Sequence, residues 1–569
     1  MSEAMSESQA GSSGLGHGQL GLWDTVSIII GIVIGSSIFE TAPTIFENVY
    51  NPWQGLGIWL FCGVLSFIGA LCYAELATTY PRHGGDYVYL TRGLDRPMGF
   101  LFGWSQLAVI LSGSTGAMAF IFGQYSAGLM GITANEQYAA HAAAVETLKE
   151  REAAAVKMIV DERFTKDEKA IYLALTEAKH ADSAKLMLDA KMSDKEKNAL
   201  LLPAMKARDE AVHALEAGQA EVALFAIRVG IGAVVVLTLI NFFGIVLGKW
   251  VQNILVMVKL AGLALIVVAG VIAWQSDAFH VAPGTAPPSY GGISVAIILV
   301  LYAFGGWNDA AFVAADLKDR RNIPKALLLG TLGITVIYLL VNFAYVVGLG
   351  FETARNAYPN IAAHLLRKAF GEGGSQIISV IVMISALGAI NGLIFTGSRV
   401  YLSLGKEHRV FSLLGQWNAT LKSPIWSLLA QAAVTVLMML AVGTVTARDA
   451  IDATLGWVNL KIDWSFYRGG FFTLFAGTAP VFWIFFLMTG FAMFALRARD
   501  PNIDRPFMLR APWYPFLPMI FCGMCLFGFY AAMRYAGWVS LLGFIPLFLG
   551  LPLYWLSGGS TKTPQEAGP

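Results

Sequence analysis

Charge is what this sequence has least of. Lys, Arg, Asp and Glu make up 14% of its 569 residues, and hydrophobic residues 56%. A soluble domain carries about 25% charged side chains, so a water-soluble globule is excluded. Cysteine is scarce too. All four, Cys62, Cys72, Cys522 and Cys525, lie inside apolar runs, which excludes a disulfide framework. Cys522 and Cys525 make a CxxC, but no ligand residue accompanies them, and they read as small apolar residues. The first twenty residues are rich in Ser and Gly and lack the basic region and cleavage site of a secretory leader. Residues 1–22 read as a disordered cytoplasmic tail. With a formal net charge of +1 and no basic stripe, nucleic acid is not an expected partner. No nucleophile with its base, metal-ligand cluster or phosphate loop is present, so the expectation is no enzyme, no metal and no cofactor.

What fills the chain instead is apolar runs of membrane-crossing length. Twelve spans are predicted, near 24–47, 53–79, 97–126, 223–246, 248–274, 291–316, 324–350, 374–404, 423–443, 469–497, 514–533 and 537–557. This is an all-α membrane protein, and the lipid bilayer is its first partner. Grouped in domains, spans 1–3 occupy 23–129, spans 4–10 occupy 221–497, spans 11–12 occupy 498–558, and 559–569 is a tail. Lys and Arg collect in one set of loops (Arg82, Arg92, Arg96; Lys318, Arg320, Arg321; Lys406, Arg409; Arg497, Arg499, Arg505), while 275–290 has none. Positive loops stay in the cytoplasm, which places both termini there, in a plasma or bacterial inner membrane.

Residues 130–220 are of another kind, rich in Ala, Glu, Lys and Asp. Three S/T-x-x-E capping boxes, Thr133 with Glu136, Thr165 with Glu168 and Ser193 with Glu196, predict soluble helices, the last stopping around Gly218. Topology puts this insert outside the cytoplasm.

Two apolar runs are interrupted. The first carries Gly35, Ser36 and Ser37 at mid-run, the second Tyr302 to Asn308, YAFGGWN. Paired glycine-interrupted spans in matching places point to a transporter's substrate site. A break frees N–H and C=O groups that lipid cannot satisfy, so it must line a cavity or bind something. The backbone at Ser36–Ser37 and at Ala303–Gly305 is therefore expected to be non-helical and to face one shared cavity. Glu75 and Asp86, at the cytoplasmic end of the second span and in the loop after it, read as a lock of the inner gate rather than as catalytic carboxylates. Lys259 stands near the middle of the fifth span, where an ionisable group is costly and marks function by default.

These motifs resemble the amino acid–polyamine–organocation superfamily, and most closely its L-type amino acid transporter branch. The resemblance is carried by GSSIF at 35–39, CYAELATTYPRHGGDYVYL at 72–90, NFFGIVLGKWVQNILVMVKLAGL at 241–263, YAFGGWN at 302–308, ALGAINGLIFTGSRVY at 386–401 and RPF at 505–507. It implies a LeuT-like core of 5+5 inverted repeats with broken helices 1 and 6, and an amino acid as substrate. The N–H groups of Ser36, Ser37 and Ile38, beside Gly35, would take its carboxylate. The carbonyls of Tyr302, Ala303 and Gly305 would take its ammonium. The Tyr302 side chain falls at an outer gate and Trp483 in the side-chain pocket. Ser37 stands where the family usually has Gly. Asp309 would cap the second half-helix or complement a polar or cationic substrate. In the resembling family the span-5 lysine sits near where sodium-driven relatives hold an ion. Lys259 would then satisfy carbonyls around Ile32 to Gly35, and transport would be sodium-independent, by exchange (an antiporter) or by proton coupling. Animal members of the branch join an ancillary subunit through a cysteine between spans 3 and 4. None exists there, so no disulfide-linked subunit is expected. Rival readings are a non-transporting amino acid receptor signalling through the insert, and an amine or polyamine transporter.

Loop insertions add little closure entropy, and the insert carries its own caps. Deletion of residues 135–217 is therefore expected to leave a folded, monodisperse membrane protein, checked by size-exclusion chromatography in detergent. Loss of folded protein would show that the insert braces the spans.

Overall fold

Lipid offers no hydrogen-bond partner, so an apolar run crossing it satisfies its own backbone as a helix. The computed structural model describes residues 20–132, 161, 164–166, 168–169, 202–281, 290–357, 360–371, 373–457, 460, 462, 464 and 470–557. These are helical almost throughout. Strand pairing among the described residues is confined to two isolated bridges, Leu20 with Leu317 and Asn418 with Ser423. Eleven described stretches are long and apolar enough to cross a membrane. The last of them, Trp513–Leu556, holds two helices joined by a short 3-10 turn.

In chain order, α1 (Leu22–Val33) stops short of mid-span and is continued by α2 (Ser37–Glu40) and α3 (Ala42–Glu47). Helix α4 (Pro52–Thr79) starts where the Asn51 side chain accepts from the Gln54 N–H at 2.9 Å, with proline at a first-turn position that needs no donor. Helix α5 (Asp86–Gly93) follows in the loop. Then α6 (Arg96–Ser105) passes through one π turn, Gln106–Ile110, into α7 (Leu111–Leu129). Helices α8 (Leu202–Phe242), α9 (Ile245–Ile272) and α10 (Tyr290–Ala303) precede a 3-10 helix, Trp307–Asp316. The chain continues with α11 (Asn322–Leu349), the short α12 (Phe351–Arg355) and α13 (Ile361–Phe370), α14 (Gly373–Glu407), α15 (Ile425–Gly443) and α16 (Val445–Gly456). It closes with α17 (Gly470–Arg499), α18 (Trp513–Ala536) and α19 (Leu541–Leu556).

Residues 130–225 and the rest of the chain form two separate units. In the first, the Thr165 box is formed: the Thr165 N–H donates to Glu168 at 2.9 Å, and the Glu168 N–H to the Thr165 hydroxyl at 3.4 Å. The boxes at Thr133 and Ser193 lie outside the described residues. The stop expected at Gly218 is absent, because α8 runs unbroken to Phe242. One glycine in a helix interior costs about 1 kcal/mol, too little to end a run flanked by Ala, Leu and Glu.

In the second unit α1 packs among α9, α11 and α14. The approach to α11 is close: a Cβ on Gly330 would come within 2.8 Å of Ile29. The loops rich in Lys and Arg are tied by charge. Glu75, on α4, accepts from Arg497 Nε at 2.8 Å and Nη2 at 2.6 Å, and from the Leu509 N–H at 2.8 Å. Arg399, on α14, pairs with Asp316 at 3.2 Å. The Leu20 N–H donates to the Asp316 carbonyl, and the Lys318 N–H to the Leu20 carbonyl, both at 3.0 Å. Asp86 accepts from the hydroxyls of Tyr73 and Thr489. Burial alone would raise the Asp500 carboxyl, but hydrogen bonds from Arg92 and Tyr80 outweigh it and hold it below the usual carboxylate value. Breaking a buried pair from one side leaves an uncompensated charge, at about 3–5 kcal/mol. Glu75→Gln is therefore expected to lower the melting temperature in detergent by several degrees, by stranding Arg497. An unchanged melting temperature would make the tie incidental.

Candidate functional site

The two interruptions are real breaks, each shifted by one or two residues from the expected place. In the first, the helix is interrupted over Ile34–Ser36, with Ile34 off helical angles at ψ 76°, and Ser37 is already the first residue of α2. In the second, Ala303 is the last residue of α10. The break is Phe304–Gly306, closed by Gly306 at φ +103°, a conformation that suits glycine. The Gly35 N–H folds back onto the Val33 carbonyl at 2.8 Å. The N–H groups of Ser36, Ser37 and Ile38 find no acceptor among the described residues. On the other strand of the site, the Tyr302 carbonyl is taken by the Gly305 N–H at 2.8 Å and the Ala303 carbonyl by the Tyr338 hydroxyl at 2.9 Å. Of the three carbonyls expected to be free, only that of Gly305 has no donor among the described residues.

Three side chains satisfy the first break. Lys259, the fifteenth residue of the 28 in α9, reaches the carbonyls of Gly31, at 2.9 Å, and Ile34. The Ser385 hydroxyl, on α14, lies 2.9 Å from the Gly35 carbonyl and 3.2 Å from that of Ile34. The Tyr338 hydroxyl, on α11, sits 2.9 Å from both the Val33 and the Ala303 carbonyls. Its single hydrogen is shared between the two breaks.

Between the breaks lies a cavity. Gly35 and Ser37 line it from the first break, and Tyr302, Gly305 and Asp309 from the second. The Tyr302 ring stands 4.0 Å, centroid to centroid, from that of Phe475 on α17. Away from the breaks the wall is mostly apolar, with Ile110, Leu111, Met118, Leu393 and Phe482, and carries the polar side chains of Gln106, Ser114 and Thr478; no lining side chain is cationic. No group of metal-ligating side chains occurs among the described residues.

Residues 20–550 match the family described as "Amino acid permease". The chain belongs to the amino acid permease family. Its similarity lies with the L-type branch. It is 24% identical to the Large neutral amino acids transporter small subunit 2 of Rattus norvegicus over 98% of this chain and 84% of that protein. Against the Homo sapiens protein of the same name the figures are 24%, 97% and 83%. It is 22% identical to the b(0,+)-type amino acid transporter 1 of Mus musculus, over 95% of this chain and 87% of that one.

Not every residue expected at the site of this permease is there. Ser36, Ile38 and Ala303 are buried behind the cavity wall, the Ser36 hydroxyl 3.5 Å from the Met118 sulfur. Trp483 does not line the cavity. Successive helix residues point about 100° apart, and it is Phe482 that faces in. The Trp483 indole instead fills the space over Gly528 of α18, where a Cβ would come within 2.5 Å of it. Asp309 caps nothing: the N-cap of its helix is Gly306, without a side-chain cap bond. Lys259 serves the cavity from behind, through the carbonyls of α1.

Gln106, Asn308, Ser385 and Tyr338 carry no role that the sequence alone assigns. Gln106 had a signal, as an isolated amide in the apolar run FLFGWSQLAVIL, and it opens the π turn. Such turns recur at functional sites. If Phe482 forms the wall, Phe482→Ala should shift the KM for substrate about tenfold. Trp483→Phe should lower the melting temperature and leave KM unchanged. Both are read from uptake kinetics and thermal unfolding of the purified variants. The reverse pattern would restore Trp483 to the site.

Proposed function

We propose that the chain is a sodium-independent secondary transporter of amino acids working by alternating access. The observation that carries this is the pair of half-broken helices facing one cavity, with free N–H groups on one break and a free carbonyl on the other. A zwitterion fits that pair. Its carboxylate would take the free N–H groups at the start of α2, where Ser37 lines the cavity, its ammonium the Gly305 carbonyl, and Tyr302 against Phe475 would close over it. The relatives named as amino acid transporters support the class of substrate.

Lys259 is the proposed reason for sodium independence. Its ammonium holds carbonyls that an ion would otherwise hold, so the first break needs no cation from solution. Plain exchange and proton coupling are both open to such a group. The twelve-span count, the two inverted repeats and the cytoplasmic placing of the termini belong to this reading. So does an insert outside the cytoplasm, consistent with the Lys- and Arg-rich loops gathering on the other side. The four cysteines are all in membrane helices, three of them buried, so the single chain is proposed to transport without a disulfide-linked partner, although two of the relatives are named as small subunits.

The test is uptake of labelled amino acids by the purified single chain in liposomes, with sodium replaced by choline, with and without a pH gradient. Wild type is expected to transport equally in choline, and Lys259→Ala to lose at least about tenfold in rate, since a buried break would be left unsatisfied. Strict sodium dependence would refute the role of Lys259. Transport only after adding a second subunit would refute the single-chain reading.

A further inference from the structure

The zwitterion accounts for the free groups on the two breaks, but it leaves a charge over. Asp309 lines the cavity and is 5% exposed. It caps no helix, forms no ion pair among the described residues, and faces no cationic side chain in the cavity wall. Beside it on the 3-10 helix is Asn308, and Gln106 on the π turn lines the same cavity. Both amides are buried, at 2% and 4% exposed. The Asn308 Oδ1 and Gln106 Oε1 atoms find no hydrogen-bond partner among the described residues. One cavity thus offers a carboxylate and two unpartnered carbonyl oxygens, all acceptors. Buried acceptors without donors are costly, so this end of the cavity fits an occupant that brings several donors and a positive charge.

The rest of the wall fixes the shape of that occupant. Ile110, Leu393 and Phe482 give the same cavity apolar lining, which suits a methylene stem. A stem ending in an ammonium or guanidinium is what an apolar sleeve with a polar end accommodates. A large neutral side chain would leave the Asn308 and Gln106 oxygens facing hydrocarbon.

Resting on the transport reading above, we propose that Asp309, with Asn308 and Gln106, selects substrates with a cationic side chain, the diamino and guanidino amino acids. Asp309 is the specificity-determining residue, pairing with the substrate's second positive charge, and the two amides accept its remaining N–H bonds.

The experiment uses the full chain in liposomes preloaded with unlabelled amino acid. KM is measured for labelled lysine, arginine, leucine and glutamine in wild type, Asp309→Asn and Asp309→Glu, with size-exclusion profiles to confirm folding. Wild type is expected to favour lysine and arginine over leucine by about tenfold or more in KM, the scale of one desolvated charge contact. Asp309→Asn should abolish that preference while keeping glutamine uptake, and Asp309→Glu should retain part of it. Uptake of neutral amino acids alone by wild type would overturn the inference and leave the transport reading standing. So would an unchanged lysine KM in Asp309→Asn. If Asp309→Asn does not fold, Gln106→Leu reads the same end of the cavity, and an unchanged ratio of lysine to leucine KM there overturns the proposal. Uptake of no amino acid of any kind would overturn both readings together.

Discussion

An interrupted main chain in the middle of a membrane has to be hydrogen-bonded by something, and the architecture of this protein follows from that requirement. Water is absent and lipid has nothing to give. The carbonyls at Gly31, Val33, Ile34 and Gly35 are met by Lys259, Tyr338 and Ser385, side chains from three different helices. Those three helices, α9, α11 and α14, pack around α1 together with the 3-10 helix Trp307–Asp316. The break therefore dictates its own neighbours. A helix displaced from this ring would leave a carbonyl unmatched, at a cost of about 1–3 kcal/mol each. What remains unmatched after the ring is closed is what a substrate can use.

The Tyr338 hydroxyl joins the two halves of the site. One hydrogen is offered to carbonyls on both breaks, so the spacing of the breaks is held from behind by a side chain outside the cavity. The same economy holds at the basic loops, where single carboxylates serve several partners. Glu75 takes Arg497 and a backbone N–H, and Asp86 takes two hydroxyls. Both hydroxyls go to one Asp86 oxygen, Oδ1, whereas Glu75 uses both of its oxygens, and such hydrogen-bonded buried groups rigidify a structure.

How much of this is legible without coordinates depends on the kind of signal. Gly35-Ser36-Ser37 and Gly305-Gly306 announce themselves, because helix-poor residues grouped inside an apolar run weaken the helix where lipid most demands one. Lys259 announces itself through the cost of its charge. Tyr338 and Ser385 do not. A tyrosine or a serine in an apolar span is unremarkable until the rotation of its helix about its own axis is known. Trp483 shows the same limit from the other side. Which of two adjacent aromatics faces a cavity is a matter of helical phase, and Phe482 won because Gly528 had room for an indole. Asp309 looked like a cap because an acid near a helix start usually is one. Its helix is of the 3-10 type, with glycine at the cap, and that is not written in the local composition.

That 3-10 helix, Trp307–Asp316, carries a geometric consequence of its own. It winds with about three residues per turn and rises about 2.0 Å per residue, against 3.6 and 1.5 Å in the α form. Over ten residues the two windings differ by roughly 5 Å in length and about half a turn in azimuth. The segment meets the cavity at Asn308 and Asp309, and it ends at Asp316, the residue gripped by Arg399 and by the backbone of Leu20. Rewinding such a stretch would be a screw motion: it would shorten and rotate together, with no bend at any joint. A ligand pressing on one end of a screw is felt as torque at the other.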